Sequence, residues 1–233
     1  MSVEFLRNLW YFAVPSKALH KKQLVHKLLL GEPVVLGRTE NGEAFALRDL
    51  CPHRAVPLSA GRVVEGTIEC PYHGWRFKPS GQCAAIPSLV GEEGVDPAKI
   101  RVRRYPLIER NGLIWIYMAQ DPATDADPVV DIPELPIAAD AMPRMIEAQL
   151  FPCEIDHAVM GLMDPAHGPF VHKVWWWRNA KSIHAKAKKY APITRGFTMV
   201  SHKPSSNSLL YKVLGGDVST EISFELPSVR VEH

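Results

Sequence analysis

Two short loops constrain this chain more than any other feature. They are Cys51-Pro52-His53-Arg54 and Cys70-Pro71-Tyr72-His73-Gly74-Trp75, with sixteen residues between His53 and Cys70. Each loop carries one cysteine followed closely by one histidine. Thiolates suit the soft iron of an iron–sulfur cluster, and imidazoles on the second iron remove negative charge and raise its reduction potential. A pair of loops, each bringing one sulfur and one nitrogen, can grip two irons from opposite sides. The prolines after both cysteines stiffen the loops, and Gly74 admits a tight backbone approach. The competing reading is a tetrahedral zinc site, since zinc accepts the same ligands. Zinc fingers usually pair both cysteines in one loop and both histidines in the other. Here each loop is mixed, so a [2Fe–2S] cluster held by Cys51, His53, Cys70 and His73 is the expectation.

The remaining cysteines, Cys83 and Cys153, have no histidine beside them and read as ordinary buried thiols. Four cysteines in 233 residues are too few to staple the chain, and their use as ligands suits a reducing compartment. Charges inside the segment Met1 to Trp10 speak against a secretory signal, and no apolar run approaches bilayer length. A cytoplasmic protein is expected. The net charge of +2 comes with no dense basic stripe and so gives no reason to expect a nucleic-acid partner.

Short apolar runs separated by turn signals dominate the first half. Leu24–Leu30, Pro33–Arg38 and Ala44–Leu50 read as strands, with Glu40-Asn41-Gly42 as a hairpin turn between the last two. Trp75–Phe77 and Cys83–Ile86 flank the turn Pro79-Ser80-Gly81, and Ile100–Ile108 and Leu113–Met118 flank Arg110-Asn111-Gly112. This spacing predicts a small barrel or sandwich over residues 1–118. From 119 to 143 the chain holds five prolines, six acids and no Lys or Arg, which predicts an extended, unpacked connector. Beyond it, over 144–233, a helix is expected from Glu154 to His167, with Ile155, Val159, Leu162 and Met163 at helical spacing. Gly168-Pro169 should interrupt or kink it. Val218, Thr220, Ile222, Phe224 and Leu226 alternate with polar residues as in a half-buried strand, and Ser228–Glu232 reads as another.

A second candidate site lies in Asp164-Pro165-Ala166-His167-Gly168-Pro169-Phe170-Val171-His172. Two histidines and a carboxylate are the ligands of mononuclear non-heme Fe(II), which leaves one face of the metal open. His167 and His172 can converge across the Gly-Pro break. Asp164, three residues before His167, suits a carboxylate that fixes the imidazole's orientation.

The paired Cys/His loops are the signature of the Rieske family, which the first half of the chain resembles. Rieske proteins of respiratory complexes have an additional cysteine in each loop, where this chain has Val56 and Tyr72. The resemblance is therefore to the oxygenase and ferredoxin type. With Asp164, His167 and His172 following across a connector, the chain resembles the catalytic subunit of Rieske non-heme iron oxygenases. That implies an α+β, mostly β protein: a Rieske β-domain followed by the start of a helix-grip (START-like) catalytic domain. It implies that His167 and His172 ligate Fe(II). It also implies that Asp164 bridges His167 to a cluster histidine, His73, of a neighbouring subunit in a homotrimer. The cofactors implied are a [2Fe–2S] cluster and a mononuclear Fe(II). A reductase, with or without a ferredoxin, would supply electrons from NAD(P)H, with O₂ and an aromatic or cyclic small molecule as substrates. Ring hydroxylation or O-demethylation is the implied chemistry, and Leu6-Arg7-Asn8-Leu9-Trp10-Tyr11 favours the single-subunit monooxygenases and demethylases.

Two departures stand against the family pattern. Met160-Gly161 replaces an asparagine or Asp-Asn pair, and the family's third iron ligand is an aspartate further downstream than His233. A chain covering only the N-terminal portion is the expectation; Asp217, Glu221 and Glu225 have the wrong spacing to substitute. The rival reading is a Rieske ferredoxin-type electron carrier, about half this length.

Other residues default to blander roles. Trp75 either packs over a cluster loop or fills core, and core is expected. Trp175-Trp176-Trp177 suit core or interface packing better than substrate contact. Lys181, Lys186, Lys188 and Lys189 read as a solvated face rather than a docking patch. Asp156 and His157 form either a network or a surface ion pair. Met160, Leu162 and Phe170 are expected in core, with a pocket wall as the alternative.

Overall fold

A computed structural model describes residues 5–90, 94–121, 126–138, 140–164, 167–171, 187–203 and 219–233. The chain forms two compact units, one of residues up to 132 with 137–146, the other of 133–136 with 147–233.

Among its described residues the first unit is built from three antiparallel sheets. Strands β1 (Leu9–Pro15), β9 (Leu107–Arg110) and β10 (Leu113–Met118) form one, in the order β1-β10-β9. Strands β2 (Val25–Leu29), β3 (Glu32–Arg38) and β4 (Ala44–Arg48) form the second. The third runs β5 (Arg62–Val64), β6 (Thr67–Glu69), β7 (Arg76–Phe77) and β8 (Cys83–Ala85). Strand β3 explains how they stack. Successive side chains of a strand point to opposite faces, yet Val34, Val35 and Leu36 are all 0 % exposed. Val34 and Leu36 join a core with Ala13, Leu29, Tyr105, Ile114 and Ile116. Val35 joins a second core with Leu47, Leu58, Ile68, Phe77 and the cysteines Cys51, Cys70 and Cys83. A strand buried on both faces reads as an unbroken apolar run, and each such aliphatic contributes roughly 1.5–3 kcal/mol. The second core carries the cysteine loops.

The β9–β10 hairpin closes through Asn111 and Gly112, with φ of 53° and 67°, the two left-handed residues of a type I′ turn. The Asn111 side chain then donates to the carbonyls of Ala138 and Ala141 at 2.7 and 2.8 Å. Trp10 Nε1 donates to the Val130 carbonyl at 2.7 Å. The acidic, proline-rich segment contains no helix or strand among its described residues, as expected. Its Val130, Ala138 and Ala141, all within the first unit, are nevertheless held there, because side chains of the sheet take up their carbonyls.

Three further expectations change. Ile100–Ile108 is extended, but only its end, in β9, joins a sheet. Arg101 and Arg104 make single bridges to Gln82 and Leu47, and Pro106 brings no ladder donor. Strands β1, β5 and β6 carried no alternating signal long enough to find. In the second unit the helix α1 spans only Ile155–Met163. Asp164 precedes Pro165 and is driven to extended φ −90°, ψ 105°, which a following proline favours. Gly168-Pro169 do not interrupt α1; they open a second short helix, α2 (Gly168–Val171), where a missing N–H costs nothing.

Strands β11 (Tyr190–Ile193), β12 (Gly196–His202), β13 (Thr220–Glu225) and β14 (Val229–Glu232) form an antiparallel sheet in chain order. Met163 and Val159 of α1 pack with Met199, Ile222 and Phe224 of that sheet. Both strands expected at the end of the chain are present. Met160, Leu162 and Phe170 are 68 %, 48 % and 57 % exposed, so the core expectation fails: only the Val159–Met163 side of α1 meets the sheet. Cys153 is exposed too, in the coil before α1. Trp175–Trp177, Lys181 and Lys186 lie outside the described residues; Asp156 and His157 are an exposed pair 3.9 Å apart. Among the described residues no helix is long and apolar enough to cross a membrane.

Candidate metal centre

The two cysteine loops fold into the same turn. Cys51 N–H donates to the Val56 carbonyl at 2.9 Å and Ala55 N–H to the Cys51 carbonyl at 2.8 Å. In the other loop Cys70 N–H donates to the Trp75 carbonyl at 2.8 Å and Gly74 N–H to the Cys70 carbonyl at 3.1 Å. The fifth residue of each turn is left-handed: Ala55 at φ 54°, Gly74 at φ 70°.

These turns sort their donors by depth. Cys51 and Cys70 are buried at 2 % and 3 % exposure, with their thiols within hydrogen-bond reach of one another. His53 and His73 are exposed, their ring centroids 4.6 Å apart. One sulfur pair inside and one nitrogen pair outside is the donor split that a Rieske cluster needs, two sulfurs on one iron and two nitrogens on the other. A tetrahedral zinc ion needs its donors within about 2.0–2.3 Å of a single point. The split by depth, two buried sulfurs and two exposed imidazoles, fits the two separate irons of a cluster.

Electrostatics agree with this division. Burial, helped by the Cys70 thiol beside it and opposed by the backbone N–H groups of His53 and Arg54 that donate to its sulfur, pushes the Cys51 thiol up to about 11. A thiol raised this far holds its proton at neutral pH, and any metal that it bound would have to displace that proton. The His53 imidazole is held below its ordinary value by desolvation, then by His73 and Arg54.

Aromatic rings frame both imidazoles. Trp75 lies parallel to His53 with centroids 4.7 Å apart, while also packing against the second core; it does both jobs that sequence treated as alternatives. Tyr72, 60 % exposed, sits 3.9 Å from the His73 ring. Cys83 is buried in the same core, and its thiol is raised by burial.

At the second candidate site the structure places Asp164 at the end of α1 and His167 just before α2. They do not share a helix face, because α1 ends at Met163 and Asp164 is extended, yet Asp164 Oδ2 stands 3.9 Å from His167 Nδ1. His172 and Asp217 lie outside the described residues. Glu225 is held by Arg195 at 2.6 Å, and Glu221 accepts from Thr198 at 3.2 Å.

Sequence inspection missed a further group. His26, Asp49 and Ser59 converge beside the first cysteine loop. Asp49, charged at the end of an apolar strand, was the only local signal.

Comparison with known proteins adds to this geometry. A family model described as the Rieske [2Fe-2S] domain matches residues 9–106. Fold and site thus define an iron–sulfur protein of the Rieske class. The chain is 39 % identical over 170 residues to the oxygenase component of dicamba O-demethylase from Stenotrophomonas maltophilia, a match covering 72 % of this chain and 48 % of the relative. It is 41 % identical over 127 residues to the iron–sulfur subunit of the toluene-4-sulfonate monooxygenase system of Comamonas testosteroni, covering 54 % and 35 %. A crystal structure of dicamba monooxygenase bound to dicamba aligns with 99 % of this chain and 67 % of that one, with TM-score 0.74 and 28 % identity. Another holds non-heme iron and dicamba, with TM-score 0.71 and 28 % identity over 99 % of this chain and 66 % of that one. The chain carries a Rieske [2Fe-2S] domain and is similar to oxygenase components of Rieske systems. It spans about half or less of the length of the curated relatives it matches.

Proposed function

We propose that this protein is the terminal oxygenase component of a Rieske-type aromatic-ring-hydroxylating or O-demethylating system. Cys51, His53, Cys70 and His73 would hold the [2Fe–2S] cluster, and His167 and His172 the mononuclear Fe(II). When bound, the cluster supplies one-electron transfer and the mononuclear iron supplies O₂ activation. The observation that carries this reading is the depth sorting of donors: thiols buried, imidazoles exposed. The buried cysteines exclude water from the sulfur side. The exposed imidazoles leave a face through which an electron can pass to a neighbouring protein surface. Asp164 orients His167, and its carboxylate is the group through which His167 would meet His73 of a neighbouring subunit in a homotrimer. Electrons would come from NAD(P)H through a reductase, with or without a ferredoxin, and the substrate would be an aromatic or cyclic small molecule.

An electron carrier without oxygenase chemistry is the second reading. The helix and four-stranded sheet of the second unit, with Asp164 and His167 side by side, favour the oxygenase. Iron and acid-labile sulfide analysis with EPR of the reduced protein tests the cluster. Reductase-dependent O₂ uptake with candidate aromatic acids tests the activity. Three irons and two sulfides per intact protomer, with the g-anisotropy of a histidine-ligated cluster, are expected; two irons and no O₂ uptake support the carrier. Zinc without sulfide refutes the assignment, and a cluster that never supports O₂ uptake in the complete protein favours the carrier.

A further inference from the structure

Asp49 is wholly buried, and among the described residues it is the one acidic side chain so enclosed. It stands two residues before Cys51. Its Oδ1 accepts the Ser59 backbone N–H at 2.7 Å, and its Oδ2 accepts the Ser59 hydroxyl at 2.5 Å. The same Oδ2 lies 2.6 Å from Nδ1 of His26, a side chain that is 53 % exposed. Three donors on two oxygens suit a carboxylate, which when ionised only accepts. Burying such a group is costly unless its hydrogen bonds are complete, and here they are supplied from strand β2 and from the turn after the first cysteine loop.

The contacts continue to the second loop. Ser59 lies in the 3₁₀ turn Leu58–Ala60, and Leu58 shares the core of Cys51 and Cys70. Gly61 sits so close to strand β6 that a Cβ there would stand 2.0 Å from the Glu69 carbonyl oxygen. Glu69 immediately precedes Cys70. A continuous path of contacts thus runs from Asp49, beside one cysteine, to the residue before the other.

We propose that Asp49 is a positioning residue for the cluster. It ties the two cysteine loops together, and its negative charge lowers the cluster's reduction potential while Ser59 and His26 offset that charge. The proposal rests on the assignment of the cluster to Cys51, His53, Cys70 and His73. Reduction adds an electron to the cluster, so a buried negative charge nearby disfavours it, more strongly than in water because the interior screens less. Withdrawing the charge should therefore raise the potential. Withdrawing either group that offsets the charge should lower it. A purely structural brace would move all three variants in one direction or leave the potential alone.

The test is an EPR-monitored redox titration of the cluster-loaded protein. Asp49→Asn, which keeps the shape, is expected to raise the midpoint by at least a tenfold change in the oxidised-to-reduced ratio, about 59 mV for one electron. Ser59→Ala and His26→Ala are expected to lower it. An unchanged midpoint in Asp49→Asn, or a shift of the other two variants in the same direction as Asp49→Asn, overturns the proposal. If Asp49→Asn assembles no cluster, Ser59→Ala and His26→Ala decide alone: lowered midpoints support it, and unchanged or raised ones overturn it. A wild-type protein with no [2Fe–2S] signal overturns the ligand assignment instead.

Discussion

The indole of Trp75 lies flat on the imidazole of His53, with ring centroids 4.7 Å apart and planes 5° from parallel, although the two residues belong to different loops. Flat aromatic surfaces hold each other's orientation without a hydrogen bond. The stack therefore sets the plane of one proposed cluster ligand from the opposite loop.

Replacing that surface should be felt at the cluster. Trp75→Leu keeps apolar volume but removes the flat face. We expect shifted g values in the reduced EPR spectrum and cluster loss to a chelator accelerated several-fold. Trp75→Phe keeps a ring and should remain near the parent. An unchanged spectrum in Trp75→Leu would show that the stack does not orient His53.

The equivalent turns predict opposite effects at equivalent positions. Ala55 occupies the left-handed region at φ 54°, which costs a residue with a Cβ roughly 1–2 kcal/mol. Ala55→Gly should be neutral or stabilising. Gly74→Ala should lose about 1–2 kcal/mol for the same reason, and its new Cβ would also stand 3.1 Å from Pro87 Cγ. Urea unfolding of the two variants measures the difference; equal losses would contradict the symmetry of the loops.

Glu32 is an ionic hub of the first unit. Its carboxylate accepts from Arg7 at 2.7 Å, Arg103 at 2.6 Å and Tyr105 at 2.8 Å, and Arg103 also lies over the Tyr105 ring. Burial and the bond to Glu32 push the Tyr105 hydroxyl well above its ordinary range. Glu32→Gln strands two partly buried guanidinium groups and should cost about 3 kcal/mol, read as a lowered midpoint of thermal unfolding. A loss under 1 kcal/mol would mean that solvent already serves these arginines.

Acid sensitivity should have one identifiable source at the edge of the sheet. Arg38 donates to both oxygens of Glu109, at 2.8 and 3.0 Å, and this bond holds the Glu109 carboxyl below its ordinary value. A depressed pKa contributes stability that is fully present above the unfolded value of about 4.3 and is lost as pH falls through the folded value. Glu109 is 37 % exposed, so solvent screening leaves on the order of 0.5 kcal/mol. Arg38→Met should therefore narrow the gap to wild type between pH 6 and pH 3. A gap that stays constant with pH would assign the loss to packing alone.

Some of this molecule was legible before any coordinates. The Cys-x-His and Cys-x₂-His pairs stood out as candidate ligands because ligand type and close spacing are local properties. The Asn111-Gly112 hairpin and the alternation of Ile222 and Phe224 were legible for the same reason, since turns and strand periods are written within a few residues. The end of α1 at Met163 was also local, in Pro165, but the apolar spacing beyond it masked the signal.

Other features depend on distance along the chain. Whether Val35 faces the cysteines or Val34 faces Tyr105 depends on which sheets lie to either side of β3. That Trp75 meets His53, that Asp49 meets both Ser59 and His26, and that Asn111 captures the carbonyls of Ala138 and Ala141 are long-range pairings. The amino-acid sequence by itself determined which atoms could bind metal, because thiolate and imidazole chemistry resides in single side chains. Only the tertiary structure decided which of those atoms are buried and which are exposed, because burial is a property of the elements packed around a residue and not of the residue.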